Sequence, residues 1–316
     1  MIIRRNEPWG EILYDTINHR FSYQNNLDID MVPYSKKPVL LNLELTLKCN
    51  MDCIHCVAKD FEELVDLHVT DELINWINNS PFLVIVITGG EPLLPEYEPN
   101  LIKLLRRIKN KGLIIDTNGT IIPSKSVIDA IKKTNTLVRI SWDSVSADVE
   151  GTFRKFRASL GALDPENVAC FNKKFKLIDL FKKEGIQFAI QTVLSDSNKN
   201  EIDEMVGYLD EHSIKKWYIQ KFIPAYKRKN EKHALNKTEY NQITLKLKTE
   251  CEKYNIECFT KKDMRHNCVF LMVGNGTLYT QSQEPGKKIP IATINDPEIN
   301  YFIFVSDGDH AERYYG

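Results

Sequence analysis

Residues 38–56 read PVLLNLELTLKCNMDCIHC, and this stretch decides the fold. Within 38–47, Asn42, Glu44 and Thr46 fall on one face and leucines on the other, the two-residue alternation of a strand. Cys49, Cys53 and Cys56 follow at once, spaced C-x3-C-x2-C. A cysteine loop just past the carboxyl end of a first strand lies where parallel α/β sheets place their active sites.

Outward from this stretch, strand and helix signals alternate. Residues 83–88 (LVIVIT) are a continuous apolar run, the mark of a strand buried on both faces. Further strands are expected at 113–117, 137–142, 186–194 and 216–223. Helices are expected near 70–79 (capped by Thr70 or Asp71), 98–111 (ended by Gly112), 124–133, 165–184, 200–212 and 237–254. This alternation predicts parallel pairing with right-handed crossovers. Six units are too few to close an eight-stranded barrel. The expected fold is therefore α/β, a partial (βα)6 TIM-like barrel over 38–235. An N-terminal extension, 1–37, precedes it. A small C-terminal extension, 236–316, follows, with turn signals such as Gly274-Asn275-Gly276.

A chain of 316 residues can bury a sizeable core. With 42 basic and 43 acidic residues there is no global pull toward a nucleic-acid polymer or a membrane surface. No run of about 18 apolar residues occurs, and MIIRRNEPWGEILYD lacks the features of a signal peptide. A cytoplasmic protein is expected, in which the seven cysteines stay reduced. Clustered cysteines there are metal ligands or catalysts sooner than disulfides.

Three closely spaced thiolates can hold three irons of a cubane and leave the fourth iron open. Two rivals stand beside this reading: a structural zinc site with His55 as fourth ligand, and a chance cluster of buried cysteines. A second motif bears on the choice. Strand 83–88 runs directly into Gly89-Gly90-Glu91-Pro92, 33 residues after Cys56. Two glycines allow a sharp turn and a close approach of backbone to a ligand. Glu91 is a carboxylate at the strand end that can receive an ammonium group. Taken alone, G-G-E-P is also an ordinary turn before a helix.

Together the two motifs resemble the radical S-adenosylmethionine (SAM) superfamily, over about residues 38–224. The resemblance implies a [4Fe–4S] cluster on Cys49, Cys53 and Cys56, with SAM chelated to the open iron. It assigns Gly89, Gly90 and Glu91 to the methionine amine. Asn118, in Thr117-Asn118-Gly119, falls in a strand-end turn common in that family. Ser141 and Asp143 match the motif that reaches the ribose and carboxylate of SAM. Arg154 or Arg157 resembles an arginine that pairs with that carboxylate; for the other, a solvated charge is the plain alternative. Val193 and Phe222-Ile223-Pro224 match positions flanking adenine. His55 departs from the family, which usually has an aromatic there, although its ring can still stack on adenine. The implied activity is reductive cleavage of SAM to a 5′-deoxyadenosyl radical that takes hydrogen from a substrate. An electron donor such as flavodoxin or ferredoxin is the implied partner.

Asn267-Cys268-Val269-Phe270-Leu271 followed by Asn275-Gly276-Thr277-Leu278-Tyr279 resembles a SPASM or Twitch extension. Such extensions begin an auxiliary Fe–S site with a cysteine, a hairpin and a G-x4-C element. Gln281 stands where the second cysteine would fall, and no cysteine follows Cys268, so a clusterless lid is expected. Cys251, Cys258 and Cys268, spaced C-x6-C-x9-C, leave a second cluster as the alternative. Two substrate classes stay open. The N-terminal RRNEPWGEILYD resembles the opening of several peptide-modifying members. A short clusterless member is also similar to the queuosine-salvage lyases, which release queuine from queuosine or its 5′-phosphate. This small-molecule reading is placed slightly ahead. In it Glu44 faces the base, and Lys227 or Arg228, in a basic loop continued by Lys232 and His233, holds the phosphate. The plain alternatives are a structural partner role for Glu44 and a solvated basic loop. A non-enzymatic zinc-binding protein is the remote third reading.

Overall fold

The apolar runs of the sequence become strands of one large sheet, and the polar-edged N-terminus forms a small one. A computed structural model describes residues 1–25, 37–56, 66–157, 161–224, 230–260, 269–281, 288–296 and 299. In it β1 (Ile2–Glu7), β2 (Gly10–Asp15) and β3 (Arg20–Asn25) make a three-stranded antiparallel sheet. The alternation in 38–47 gives β4 (Leu40–Thr46). There follow β5 (Val84–Gly89), β6 (Gly112–Thr117), β7 (Leu137–Ser141), β8 (Phe188–Leu194), β9 (Lys216–Lys221) and β10 (Glu257–Thr260). These seven pair in parallel in the order of the chain. That is one strand more than the periodicity predicted, because β10 is only four residues, ECFT.

The C-terminal pieces extend the same sheet from its other side. β11 (Val269–Met272) pairs parallel with β4, and β12 (Thr277–Gln281) and β13 (Lys288–Thr293) continue antiparallel. The ten-stranded sheet ends at β10 and β13 and stays open. Among the described residues no helix is long and apolar enough to cross a membrane.

Among the described residues, seven helices cover the outer face. Thr70 caps α1 (Asp71–Asn79) by accepting from Leu73 N–H, and Ser124 caps α3 (Lys125–Thr134) in the same way. α2 (Glu98–Arg107) stops four residues short of the expected end. Asn110 takes a left-handed turn there, and Lys111 Nζ donates to the carbonyls of Ser80 and Phe82. α4 (Ala147–Phe153), α5 (Pro165–Glu184), α6 (Ile202–Glu211) and α7 (Lys237–Lys253) complete the layer. Against them the strands turn Leu41, Leu43, Ile85, Ile87, Ile115 and Ile140.

The inner face is different. At the amino ends of the strands it is apolar, and Val84, Ile114 and Leu137 pack against Trp9, Ile12 and Tyr14 of the N-terminal sheet. The approach is close: a Cβ on Gly112 would lie 2.1 Å from the Tyr14 ring. Higher up, the inner face turns polar. Arg139 and Asp116, abreast on β7 and β6, form a bidentate pair with Nε–Oδ1 2.6 Å and Nη2–Oδ2 2.7 Å. The N-terminal sheet thus closes the bottom of the open barrel, and chemistry is left to the carboxyl ends.

Candidate functional site

The turn after β4 carries Cys49, Cys53 and Cys56. Cys53 is buried, and the other two are partly exposed. Burial pushes the Cys49 thiol up to about 11, with Glu91 and Cys56 adding to it, and the Cys53 thiol up to about 12, where Arg154 opposes the rise and Cys56 and Cys49 add to it. Thiols held neutral in this way give up their protons to a metal rather than to water. The loop is laced to the segment after α4. Asp52 N–H donates to Lys155 O at 2.6 Å, Ile54 N–H to Phe153 O at 3.0 Å, and Arg157 N–H to Asn50 O at 3.0 Å. Cys170 of α5 packs beside Met51 and Cys53, a fourth thiol that spacing did not single out.

A zinc tetrahedron does not describe this loop. Thiolates on one zinc stand about 4 Å apart, given Zn–S bonds of about 2.3 Å. Among the described residues no three His, Cys, Asp or Glu groups converge closely enough to hold one ion. A cubane asks less of them, since each thiolate ligates its own iron. His55, the fourth ligand a zinc site would use, lies against Phe153 and Phe222, with ring centroids 5.9 and 6.4 Å away.

The glycines of G-G-E-P make a close packing of turns possible. They bring backbone against backbone: a Cβ on Gly89 would lie 2.1 Å from Thr46 O, and one on Gly90 would lie 1.9 Å from Lys48 O. Gly89 also has φ +130°, which favours glycine. Gly90 N–H donates to Thr46 O at 2.6 Å and Glu91 N–H to Lys48 O at 2.9 Å, fastening this turn to the start of the cysteine loop.

Glu91 is wholly buried. Its Oε1 accepts from Leu93 N–H (2.9 Å) and the Thr117 hydroxyl (2.8 Å), and its Oε2 from Asn118 N–H (2.7 Å). Burial still raises its carboxyl to about 7 against these three bonds. A carboxylate offers about four acceptor positions, so room for one more donor remains on Oε2. Asn118 is a hub: its Nδ2 donates to Asn50 Oδ1 (2.8 Å) and reaches Cys49 Sγ (3.7 Å), and its Oδ1 accepts from Thr120.

Past β7, Asp143 accepts from Val193 N–H at 2.8 Å and pairs with Arg154, Nε to Oδ2 at 2.8 Å. Arg154 is buried, whereas Arg157 is exposed. Ser141 is half-buried at the end of β7, and its carbonyl accepts from Lys174 Nζ at 2.9 Å. Two residues that the motifs did not flag hold this corner. Glu150 accepts from Asp143 N–H (2.7 Å) and Ser144 N–H (3.1 Å), and it is bonded to the buried Lys174. Val193 and Phe222 join Phe153, with Ile54 and Ala234 against them, in a small apolar cluster. His233 adds its ring, 5.7 Å from Phe153 and 5.9 Å from Phe222.

Glu44 lies on the inner face of β4, paired in register with Thr88, and its charge raises the hydroxyl of Tyr279 on β12 after burial has done so. Lys227 and Arg228 lie outside the described residues, as does Cys268. Cys251 ends α7 and Cys258 stands on β10, close enough for a thiol–thiol hydrogen bond that lowers Cys251.

The chain is 29% identical over 184 residues to the Fe-coproporphyrin III synthase of Methanosarcina barkeri, covering 57% of this chain and 42% of that protein. It is 28% identical over 175 residues to the subtilosin biosynthesis protein AlbA of Bacillus subtilis, covering 53% and 36%. The chain spans about half the length of the curated relatives it matches. Among solved structures, SuiB of Streptococcus suis bound to S-adenosylmethionine superposes with a TM-score of 0.70 at 13% identity, covering 97% of this chain and 87% of that one. The radical SAM superfamily model matches residues 43–209, more than half of the sequence. The chain belongs to the radical SAM superfamily, whose members use a [4Fe–4S] cluster and SAM.

Proposed function

We propose that this chain cleaves SAM reductively and takes a hydrogen atom from a peptide substrate, with Cys49, Cys53 and Cys56 holding the cluster. The observation that carries the site is the lacing of three turns into one unit: the cysteine loop, the Glu91–Asn118 corner and the Asp143–Arg154 pair share direct hydrogen bonds at the carboxyl ends of β4 to β8. When bound, the cluster and SAM supply a 5′-deoxyadenosyl radical. Glu91 Oε2 would receive the methionine ammonium, and Arg154, held in place by Asp143, would pair with the methionine carboxylate. Val193, Phe153, Phe222 and His55 give adenine an apolar bed that keeps water from the reacting carbon. Within this reading residues 38–235 carry the chemistry, and no second cluster is expected beyond them.

The peptide reading is supported by full-length likeness of fold. SuiB bound to its precursor peptide SuiA superposes over all of this chain with a TM-score of 0.66 at 13% identity, and AlbA is named for bacteriocin biosynthesis. A second reading, release of queuine from queuosine or its 5′-phosphate, is favoured by one observation: a buried carboxylate, Glu44, on the inner face.

Anaerobic reconstitution should give about four irons and four sulfides per chain, and replacing all three cysteines should abolish both. The reduced holoenzyme is then incubated with SAM and either a short peptide encoded beside its gene or queuosine 5′-phosphate. A mass change in the peptide supports the proposal. Free queuine without any change in the peptide transfers it to the nucleotide, and zinc retained without iron refutes it.

A further inference from the structure

One side chain on the inner face is buried and has nothing to bond. Gln191 sits in the middle of β8, 9% exposed, and its Oε1 has no hydrogen-bond partner. Its direction follows from its neighbours. Ile190 and Leu194 pack outward, and Thr192 bonds the outer Trp142 and Trp217. Ala189 and Val193 face inward. Gln191 lies between those two, so its amide points into the barrel.

Strand register fixes its height. Gln191 is abreast of Ser141 on β7 and Tyr218 on β9. One row toward the mouth stands Val193, in the apolar cluster of Phe153 and Phe222. One row deeper stands Ala189, beside the self-neutralised Arg139–Asp116 pair. Ser141, half-buried, stands beside Gln191, while Tyr218 stacks its ring on Phe259 and under Arg139 in the amino-end cluster. The row therefore offers the neutral amide of Gln191 at the depth a substrate would occupy beneath the proposed adenosyl site. A buried acceptor without a donor is costly, and a folded protein retains such a cost where a ligand removes it.

We infer that Gln191 is the substrate-recognition residue of the barrel, binding a neutral amide edge, an N–H beside a C=O, through both ends of its own amide. The inference rests on the proposed radical SAM site, because it uses that site to say what lies above the row. A carboxamide pairs with an amide edge by two hydrogen bonds, Oε1 accepting and Nε2 donating. A phosphate or carboxylate at this row would meet Oε1 with no proton to share. Both a peptide bond and the lactam of a 7-deazaguanine carry such an edge.

The test uses reconstituted holoenzyme with SAM and two probes, N-acetylalanine methylamide and 7-deazaguanine, followed by ligand-observed NMR. Iron content and SAM affinity are measured on every variant, so failure of the underlying site shows separately as lost iron or lost SAM binding. With both intact, Gln191→Leu should weaken the preferred probe about fivefold to tenfold. Gln191→Glu, which keeps the size but removes the donors, should weaken it as much. The methylamide responding alone identifies a peptide amide, and 7-deazaguanine responding alone identifies a lactam base. Equal binding to wild type and both variants, or binding of neither probe to the wild type, overturns the inference.

Discussion

Glu91→Gln separates the hydrogen bonds that Glu91 makes in the structure from the ammonium contact proposed for it. Glutamine keeps the volume and one acceptor oxygen. If that oxygen stays on Leu93 N–H and the Thr117 hydroxyl, the new –NH2 faces Asn118 N–H, donor against donor, where Oε2 now accepts at 2.7 Å. One buried N–H left unpaired costs about 1–3 kcal/mol. At roughly 2 °C per kcal/mol for a chain of this size, Tm falls by about 2–6 °C. The proposed ammonium contact is a second and separate loss. A charge-assisted bond of about 1.5–3 kcal/mol corresponds to about a 10- to 150-fold rise in the Kd for SAM. Anaerobic calorimetry of the reconstituted variant reads the first quantity, and equilibrium titration with SAM reads the second. Unchanged SAM affinity with four irons in place would remove Glu91 from the SAM site, and an unchanged Tm would refute the hydrogen-bond argument. Alanine is the poorer probe, since it strips all three donors at once and frees the Asn118 turn that touches Cys49.

Gly90→Ala puts a methyl 1.9 Å from a backbone carbonyl that has no freedom to yield, so iron incorporation should fall sharply in iron and sulfide analysis. Arg154→Lys should weaken SAM binding at least about tenfold, because a lysine cannot hold Asp143 and a ligand carboxylate with one planar fork, while Arg157→Ala should stay within about twofold by the same titration. His19, buried beside Tyr14, is lowered to about 4 chiefly by burial and next by Lys216. Below pH 6.5 the unfolded chain therefore takes up a proton that the folded one refuses, and stability falls as pH falls. Between pH 6.5 and 5 this amounts to about 2 kcal/mol, and denaturant titrations should show that slope flattened in His19→Gln.

How much of this was legible in the sequence depended on whether a signal was local. LVIVIT and the alternation in 38–47 announce strands because burial on two faces or one writes itself into consecutive residues. The three-stranded N-terminal sheet was missed because IIRRNE keeps no clean period; its partners for burial are the distant Val84 and Ile114. The glycines of G-G-E-P were visible, but not that Thr46 and Lys48 are what they approach, since that contact joins two crossovers. Glu150 gave no sign in DVEGTF. Its partner did: Lys174 falls in the stripe Cys170, Phe171, Lys174, Leu177, Ile178, and a lysine at a core position of a helix demands a buried acceptor. Between Arg154 and Arg157 spacing offered no choice, whereas burial separates them at once.

The same lacing makes the proposed cluster and SAM sites one object energetically. Residues 50–54 and 153–157 run antiparallel, joined by three backbone hydrogen bonds and the Met51–Phe156 bridge. Arg154 sits inside that ladder, and its guanidinium both eases the Cys53 thiolate and grips Asp143. Asp143 in turn fixes Val193, where the apolar cluster proposed to hold adenine begins. A change of charge or position at the cysteines is therefore felt at Arg154 without passing through solvent. Backbone bonds worth about 1 kcal/mol each give this ladder a coupling of about 3 kcal/mol at most. Such coupling is reciprocal: whatever the loaded loop adds to the hold on SAM, SAM returns to the hold on the loop.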